Sequence, residues 1–290
     1  MTAISIGFWN IDLNSNQKKP VLLDVIACFC LEYHLDILLL AEHTMLDQVK
    51  VLDLIYKYTG KTFQEPPPAI SQAAKVKIFY NPASVSIKRN LDYGRYSICT
   101  CSVASNNPLL TEQFLLVPCH LNSLAIIGHD KDNQDAEIRD LAEQINRHER
   151  SLVCTKTIVV GDLNANPYDT PIVERKRLNA LSCKALVRKN AEYKGYRTFY
   201  NPMWSHYFDP EEKVVSGSYR FPVSKDITRH WNILDQVLVR SDLLENFDES
   251  SLKIVRKVSN NNLRTRDLRQ PNKNKYSDHF PLTFKLKFFE

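Results

Sequence analysis

Thr157-Ile158-Val159-Val160-Gly161-Asp162-Leu163-Asn164 is an apolar run that leads directly into a glycine, a carboxylate and an amide. Four β-branched residues that end at a turn signal predict a short buried strand over Thr157–Val160. Glycine and asparagine favour a turn, so Asp162 and Asn164 are expected just beyond the end of that strand. The stretch therefore predicts polar side chains at the edge of a buried sheet.

The same arrangement recurs at five other predicted strands. Their polar residues are Asn10 and Asp12 after Ile4–Trp9, Glu42 after Ile37–Ala41, His120 after Phe114–Pro118, Asp235 at the start of Leu234–Val239, and Asp278 and His279 before Pro281–Phe288. One aspartate after a strand is usually a turn or helix cap, but six such strand ends are hard to explain in that way. Oxygen ligands suit Mg²⁺ or Mn²⁺, and a histidine beside carboxylates suits proton transfer in phosphoryl chemistry.

Helical and strand patterns are interleaved along the chain, but several strands follow one another without a helix between them. Apolar residues recur at helical spacing over Pro20–Tyr33, Asp47–Tyr58 and Asp132–Arg150. Between the last two helices the period changes to two, which predicts consecutive strands. This order predicts an α+β fold with largely antiparallel pairing. No convincing linker divides the sequence, so residues 1–290 are expected to form a single catalytic domain.

Composition narrows the class of protein. A hydrophobic fraction of 43% is ample for a core, and a net charge of +5 permits an anionic substrate without requiring one. The seven cysteines contain no C-x-x-C spacing, which disfavours zinc and favours small apolar residues in a reducing compartment. No signal pattern opens the chain, and its longest apolar run, Ile37–Ala41, is too short to cross a bilayer. We expect a cytoplasmic protein with no membrane partner.

Six motifs, taken in order, resemble those of the endonuclease/exonuclease/phosphatase superfamily. They are Phe8-Trp9-Asn10-Ile11-Asp12, Leu40-Ala41-Glu42, Pro118-Cys119-His120-Leu121, Gly161-Asp162-Leu163-Asn164, Leu234-Asp235-Gln236-Val237 and Ser277-Asp278-His279-Phe280-Pro281. The resemblance covers nearly the whole chain. It implies a four-layer α/β/β/α sandwich of two mixed β-sheets flanked by helices, with the site at one edge. Two stretches, Thr198–Trp204 and His230–Asp235, are similar to a prokaryotic branch of unknown substrate.

The resemblance also implies roles for the residues at the strand ends. His279 matches the catalytic imidazole and Asp235 the carboxylate that holds it. The residues expected to orient water or contact the phosphate are Asp162, Asn164, His120 and Asn10. Glu42 matches the principal ligand of a divalent metal, Mg²⁺ or Mn²⁺, and Asp278 and Asp12 match further metal contacts. Which residue takes the proton from water is left open.

A cationic run precedes the last motif. Between Leu263 and Tyr276 lie Arg264, Arg266, Arg269, Lys273 and Lys275, with Asp267 the only acidic residue. The run is either a solvated loop or a rim that follows a polyanion. We expect Arg264, Arg266 and Arg269, with Arg229, to bind substrate. A second cluster of cations and tyrosines over 184–200 suits single-stranded nucleic acid or, with slightly more weight, an ordinary helix face.

Three functions compete. The first is a metal-dependent phosphodiester hydrolase, a nuclease acting on DNA or RNA by water attack on phosphorus, with nucleic acid as its partner. The second is a phosphomonoesterase or an inositol or lipid-headgroup phosphatase that uses the same site on a phosphorylated small molecule. The third is a binding module built on an inactive site, which the intact motifs disfavour. The fold alone does not choose between the first two, although no apolar loop for lipid docking is visible.

Overall fold

A computed structural model describes residues 2–14, 19–69, 74–104, 112–123, 131–193, 195–209, 214–221, 231–266 and 270–288. The helices are α1 (Leu22–Glu32), α2 (Gln48–Thr59), α3 (Lys131–Ser151), α4 (Thr170–Val173) and α5 (Lys184–Lys189), with 3₁₀ turns at Pro202–Tyr207 and Ser241–Leu243. The first ten strands are β1 (Thr2–Asn10), β2 (Ile37–Ala41), β3 (Val76–Tyr80), β4 (Val85–Tyr93), β5 (Tyr96–Val103), β6 (Gln113–His120), β7 (Thr157–Asp162), β8 (Ala180–Leu181), β9 (Glu192–Tyr193) and β10 (Tyr196–Arg197). The others are β11 (Phe199–Tyr200), β12 (Phe208–Asp209), β13 (Val214–Val215), β14 (Tyr219–Arg220), β15 (Trp231–Asn232), β16 (Asp235–Arg240), β17 (Phe247–Ile254), β18 (Lys257–Val258), β19 (Asn261–Asn262) and β20 (Leu282–Phe288).

Two large sheets carry the fold. The first has the strand order β17-β20-β1-β2-β3, and only β1 and β2 are parallel within it. The second has the order β4-β5-β6-β7-β16-β11-β8, with β6–β7 and β8–β11 parallel and the remaining pairs antiparallel. The prediction of an α+β fold with largely antiparallel pairing is therefore confirmed.

Helices cover the outer faces of the two sheets, and the inner faces pack against each other. Phe29 of α1 packs on the first sheet, where its ring centroid lies 6.3 Å from that of Trp9. The main apolar core unites α1, α2, the first sheet and the inward residues of the second sheet. A second apolar cluster joins α3, through Ile138 and Leu141, to the opposite face of the second sheet. These layers confirm the predicted α/β/β/α sandwich.

Strand direction brings the polar strand ends to one edge. The parallel pairs β1–β2 and β6–β7 end together, which aligns Asn10 with Ala41 and His120 with Asp162. The antiparallel strand β16 begins at that edge, where Asp235 pairs with Asp162. β20 likewise starts beside Phe8, so the preceding segment with His279 reaches the same place. The mixed sheets thus gather side chains from six separate parts of the sequence.

Gly161 is the residue that the close approach of β6 and β7 requires. Its φ is +155°, and a Cβ atom there would lie 1.9 Å from the carbonyl oxygen of Cys119. No other amino acid fits without moving the backbone, because this contact is with the main chain of the neighbouring strand. Gly161 therefore sets the position from which Asp162 emerges.

The burial of several cysteines agrees with a further expectation. All seven cysteines are free thiols, and burial raises the pKa of several of them, including Cys30 and Cys101. Four of them, Cys30, Cys99, Cys101 and Cys119, are buried and act as small apolar residues in the core, as the sequence predicts, whereas Cys183 is exposed. Among the described helices, none combines the length and the apolar character that a membrane crossing requires.

Candidate active site

A buried imidazole–carboxylate pair lies at the shared edge. His279 Nδ1 is 2.8 Å from Asp235 Oδ2, and both side chains are buried. Ser218 Oγ accepts from the backbone N–H of Asp235, and Trp9 Nε1 donates to the carbonyl of His279 at 3.0 Å. The backbones on both sides of the pair are thus fixed, which holds Nε2 of His279 towards the site.

Asp162 lies at the centre of the site. Its Oδ2 is 3.8 Å from His279 Nε2 and 3.9 Å from His120 Nε2, and it accepts from Asn10 Nδ2 at 3.1 Å. Its Oδ1 accepts from the backbone N–H of Asn164 at 2.9 Å. Two imidazoles and an amide therefore converge on one buried carboxylate oxygen.

Glu42 stands on the other side of Asn10. The Asn10 amide nitrogen donates to Glu42 Oε1 at 3.1 Å, so one amide bridges Glu42 and Asp162. His120 Nε2 is 3.5 Å from the same Glu42 oxygen, and Asn14 Nδ2 donates to the second oxygen at 3.2 Å. Within the described part of the chain, no lysine or arginine forms an ion pair with Glu42. Its partly exposed carboxylate is therefore open to a cation.

Asp12 and Asp278 are joined by a lysine. Lys273 Nζ is 2.9 Å from Asp278 Oδ2 and 3.4 Å from Asp12 Oδ2. The buried ammonium of Lys19 also pairs with Asp12, at 3.2 Å. The two carboxylates expected to contact metal are thus at the site, but ammonium groups of the chain itself neutralise them.

The charges of the site shift the pKa values of its central groups. Burial alone would lower the pKa of His279, but the negative charge of Asp235 and the other carboxylates raises it to about 10. Burial raises the pKa of Asp162, an effect that the charge of His279 opposes. His279 is therefore protonated at neutral pH, and it faces a carboxylate that holds a proton more readily than usual.

Three site residues have left-handed backbone conformations. The φ angles are +46° at Asp12, +51° at Glu42 and +49° at Asn164. Asparagine and aspartate tolerate this region, whereas glutamate rarely adopts it. The chain turns sharply at these strand ends, so the side chains are directed into the site rather than along the sheet.

Sequence reasoning missed several neighbours of the site. Tyr219 packs on the imidazole of His279, with ring centroids 4.7 Å apart, and burial raises the pKa of Tyr219 to about 12. Ser218 and Asn14 contribute the hydrogen bonds described above. None of the three stands in a motif, so only spatial proximity finds them. In the sequence, Lys273 is simply one member of the cationic run.

Solved structures resemble this chain over nearly its whole length, whereas no family model and no curated protein matches the sequence. Truncated TDP2 from Caenorhabditis elegans superposes with a TM-score of 0.56 at 11% identity, covering 99% of this chain and 98% of that one. An endonuclease/exonuclease/phosphatase family protein from Bacteroides thetaiotaomicron gives 0.55 at 13% identity, covering 98% and 95%. TDP2 from D. rerio, complexed with a single-strand DNA product, gives 0.53 at 14% identity, covering 99% and 100%.

The chain has the endonuclease/exonuclease/phosphatase fold. At these identities the likeness establishes the architecture alone, and the chemistry must be argued from the residues.

Two groups of ligand atoms in this endonuclease/exonuclease/phosphatase fold could hold a divalent cation. Oxygen or nitrogen atoms of Asp162, Asp235 and His279 all lie within 4.8 Å of one another. Asp235, however, is already bonded to His279 Nδ1, which suits proton sharing better than metal ligation. The oxygens of Glu42 are more exposed and, among the described residues, meet only amide and imidazole groups. The donor set around Glu42 and Asp162 therefore fits a hard cation better.

Of the four residues predicted to bind substrate, the structure describes two. Arg266 is exposed, and Arg264 is half-buried, with its backbone N–H donating to Asn262 Oδ1 at 3.1 Å. Arg269 and Arg229 lie outside the described residues. In the second cationic cluster, Lys184, Arg188 and Arg197 form ion pairs with acidic side chains. That cluster is thus in large part an ordinary charged surface.

Asn164 is placed beside Asp162, but its amide group contacts the main chain. The Asn164 Nδ2 donates to the carbonyl of Leu121 at 2.9 Å. The backbone carbonyl of Asn164 accepts from Gln134 Nε2 at 2.8 Å. Through these bonds Asn164 joins the loops that follow β6 and β7. The other predicted catalytic residues, His279, Asp235, Asp162, His120 and Asn10, form one connected cluster.

Proposed function

We propose that the protein is a metal-dependent phosphodiester hydrolase, a nuclease that cleaves DNA or RNA by attack of water on phosphorus. The observation that carries the proposal is the arrangement of Asp162 between the protonated imidazole of His279 and the open carboxylate of Glu42. A phosphodiester needs both of these: positive groups for its oxygens and a carboxylate for the attacking water.

Glu42 would hold the metal, Mg²⁺ or Mn²⁺, with Asp162 and the amide oxygen of Asn10 nearby. When bound, a divalent cation withdraws negative charge from the phosphate and stabilises the leaving oxygen. Asn10 fixes the spacing of the two carboxylates, because its amide nitrogen bonds to both. This role rests on the oxygen-rich donor set and on the lack of an ion pair at Glu42 among the described residues.

In the proposed reaction, His279 donates a hydrogen bond to the phosphate and Asp162 accepts the proton of the attacking water. With a pKa of about 10, His279 is charged at neutral pH, so its Nε2 can donate to a phosphoryl oxygen but cannot take a proton from water. Asp162 lies 3.8 Å from that nitrogen, and burial raises its pKa, so it is the better base. His120, whose Nε2 lies 3.9 Å from Asp162 Oδ2, would contact a second phosphate oxygen.

Nucleic acid is the proposed substrate, in preference to a small phosphate ester. A protein with the same fold, D. rerio TDP2, has been solved with a single-strand DNA product. The exposed Arg266 lies close in sequence to the catalytic motif and can contact a neighbouring phosphate. We further propose that residues 1–290 act as one catalytic domain in the cytoplasm, where the seven free thiols would stay reduced.

A substrate panel tests the proposal. The chelator-treated protein is assayed with and without Mg²⁺ or Mn²⁺ on plasmid DNA, oligonucleotides, RNA, inositol phosphates and bis(p-nitrophenyl) phosphate, a diester without bases. We expect metal-dependent cleavage of polynucleotide and diester, and loss of most of this activity in Glu42→Gln. Glu245→Gln, which alters an exposed ion pair with Arg188, is the matched control. Full activity in excess chelator would contradict the metal role, and exclusive cleavage of inositol phosphates would favour the phosphatase alternative.

A further inference from the structure

Three aromatic side chains form an exposed cluster beside the catalytic loops. The ring centroid of Tyr168 lies 6.1 Å from that of Trp204 and 5.7 Å from that of Tyr207. Tyr168 is 48% exposed and Trp204 38% exposed, while Tyr207 is half-buried beneath them. We call these three residues the aromatic platform. Large rings that are exposed together mark a binding surface more often than rings exposed singly.

Asn166 ties the platform to the strand ends of the site. Its side-chain oxygen accepts from the hydroxyl of Tyr207 at 2.8 Å and from the backbone N–H of Ile233 at 3.0 Å. Its amide nitrogen donates to Asn232 Oδ1 at 2.9 Å. One asparagine, two residues after Asn164, therefore connects the platform to the segment that leads into Asp235.

A second connection runs through the buried side chain of Gln236, which directly follows Asp235. Gln236 Oε1 accepts from Asn201 Nδ2 at 2.8 Å, and Gln236 Nε2 donates to the carbonyl of Ala165. Asn201 in turn caps the 3₁₀ turn that carries Trp204 and Tyr207, by accepting from the backbone N–H of Met203 at 3.0 Å. Asn201 and Gln236 are both fully buried. The platform is thus held rigidly relative to the catalytic carboxylates.

We propose that the aromatic platform stacks unpaired bases of the nucleic-acid strand whose phosphodiester is cleaved at His279. This inference rests on the proposed function and specifies its substrate as single-stranded or frayed. Aromatic rings stack any base, because every base presents a flat face, whereas paired bases in a duplex offer none. Tyr168 is six positions after Asp162, so its Cα atom lies within roughly 20 Å of that of Asp162, which corresponds to a few nucleotides of a strand.

The argument for the platform rests on its rings rather than on charge. Among the described residues, Asp169 directly follows Tyr168, and its carboxylate accepts from the backbone N–H of Asn166 at 2.6 Å, which holds the loop in place. A small phosphate ester without a base would gain no affinity from the platform, because it has no flat ring to stack there. A strand is therefore expected to gain affinity from its bases as well as from its phosphates.

Binding of two labelled strands of equal length tests the platform. One is a thymidine oligonucleotide and the other carries the same phosphates on abasic tetrahydrofuran units, so only the bases differ. Fluorescence anisotropy is measured in chelator for the wild type, for Tyr168→Ala/Trp204→Ala and for Tyr56→Ala, which removes an exposed ring on α2. Hydrolysis of bis(p-nitrophenyl) phosphate with metal is measured for the same proteins.

We expect the platform variant to bind the thymidine strand about tenfold to a hundredfold more weakly, with no change for the abasic strand. Its hydrolysis of the small diester and the behaviour of Tyr56→Ala should match the wild type. Equal affinity of the wild type for both strands, or an equal loss on both strands in the variant, would overturn the proposal and leave the rings to a protein partner. Absence of diester hydrolysis in the wild type would instead refute the proposed function, whatever the strands show.

Discussion

At the scale of single residues, His279 and Asp235 are expected to act as one unit. His279→Ala should reduce kcat/KM by about 10²- to 10⁴-fold, because the positive donor to the phosphate is removed. Asp235→Asn should also be impaired, since the 2.8 Å bond to Nδ1 orients and charges the imidazole. The double variant should be little worse than His279→Ala, and steady-state kinetics on an oligonucleotide would show this. Losses that multiply would mean that the two side chains act independently.

Lys273 has a role that its place in the sequence does not reveal. Its ammonium lies between Asp12 and Asp278, where it supplies the positive charge that a metal would otherwise supply. Lys273→Met should therefore tighten Mn²⁺ binding by about fivefold or more, the effect of removing one charge at a few ångströms in a watery site. Calorimetric titration or Mn²⁺ paramagnetic resonance would measure it. The exposed Lys275→Met is the control, and unchanged Mn²⁺ affinity in Lys273→Met would show that these carboxylates do not take part in metal binding.

At the scale of elements, the register of β6 against β7 depends on Gly161. Gly161→Ala should lower the free energy of unfolding by several kcal/mol, because its Cβ would lie 1.9 Å from a backbone oxygen. Gly60→Ala is the informative control, since its φ is +70° but nothing lies within 4 Å of the added carbon. That change should cost only about 1 kcal/mol. Urea unfolding of both variants would separate steric conflict from backbone strain, and similar values would refute the close approach.

The helices and strands that the sequence predicted are those in which the hydrophobic pattern matches the residues that are buried in the structure. Ile37–Ala41 is predicted to the residue, and the helix at Asp47 begins as expected, with Asp47 as its N-cap. The edge strand Phe247–Ile254 escaped prediction, because its exposed and acidic residues interrupt the alternation. The 3₁₀ turn at Pro202–Tyr207 escaped for another reason: buried side-chain hydrogen bonds, rather than periodicity, hold it in place.

Some residues of the candidate site could likewise be predicted from the sequence, and others could not. Residues in motifs at strand ends, such as Asp162 and Asn10, could be predicted because strand direction brings them together. Lys273, Tyr219 and the aromatic platform could not, because their roles arise from contacts between segments far apart in the sequence. Roles that depend on charge state also need the structure, as the raised pKa of His279 does.

At the scale of the whole molecule, nucleic-acid binding by the protein should depend strongly on salt if the cationic run over 264–275 contacts phosphates. Lys273 pairs with Asp278 and Asp12, so the prediction concerns the three arginines of the run, of which Arg269 lies outside the described residues. Replacing Arg264, Arg266 and Arg269 by Gln should weaken oligonucleotide binding and flatten the plot of log affinity against log salt. The slope should fall by about one for each phosphate that the variant no longer neutralises.

Arg188→Gln, on a surface ion pair with Glu245, should leave that slope unchanged. The triple variant should also hydrolyse bis(p-nitrophenyl) phosphate as the wild type does, since this diester has no flanking phosphates. An unchanged slope in the triple variant would mean that the loop is merely solvated, and small phosphorylated molecules would become the better substrate candidates.

The left-handed conformations at Asp12, Glu42 and Asn164 lower the stability of the fold at residues that the proposed activity requires. Each such residue costs on the order of 1 kcal/mol or more, and glycine would adopt the same conformation freely. Selection for thermal tolerance alone would therefore favour glycine at position 42 and erase the carboxylate. Engineering for heat resistance should leave these three turns untouched and seek its gains in the core or in exposed helices.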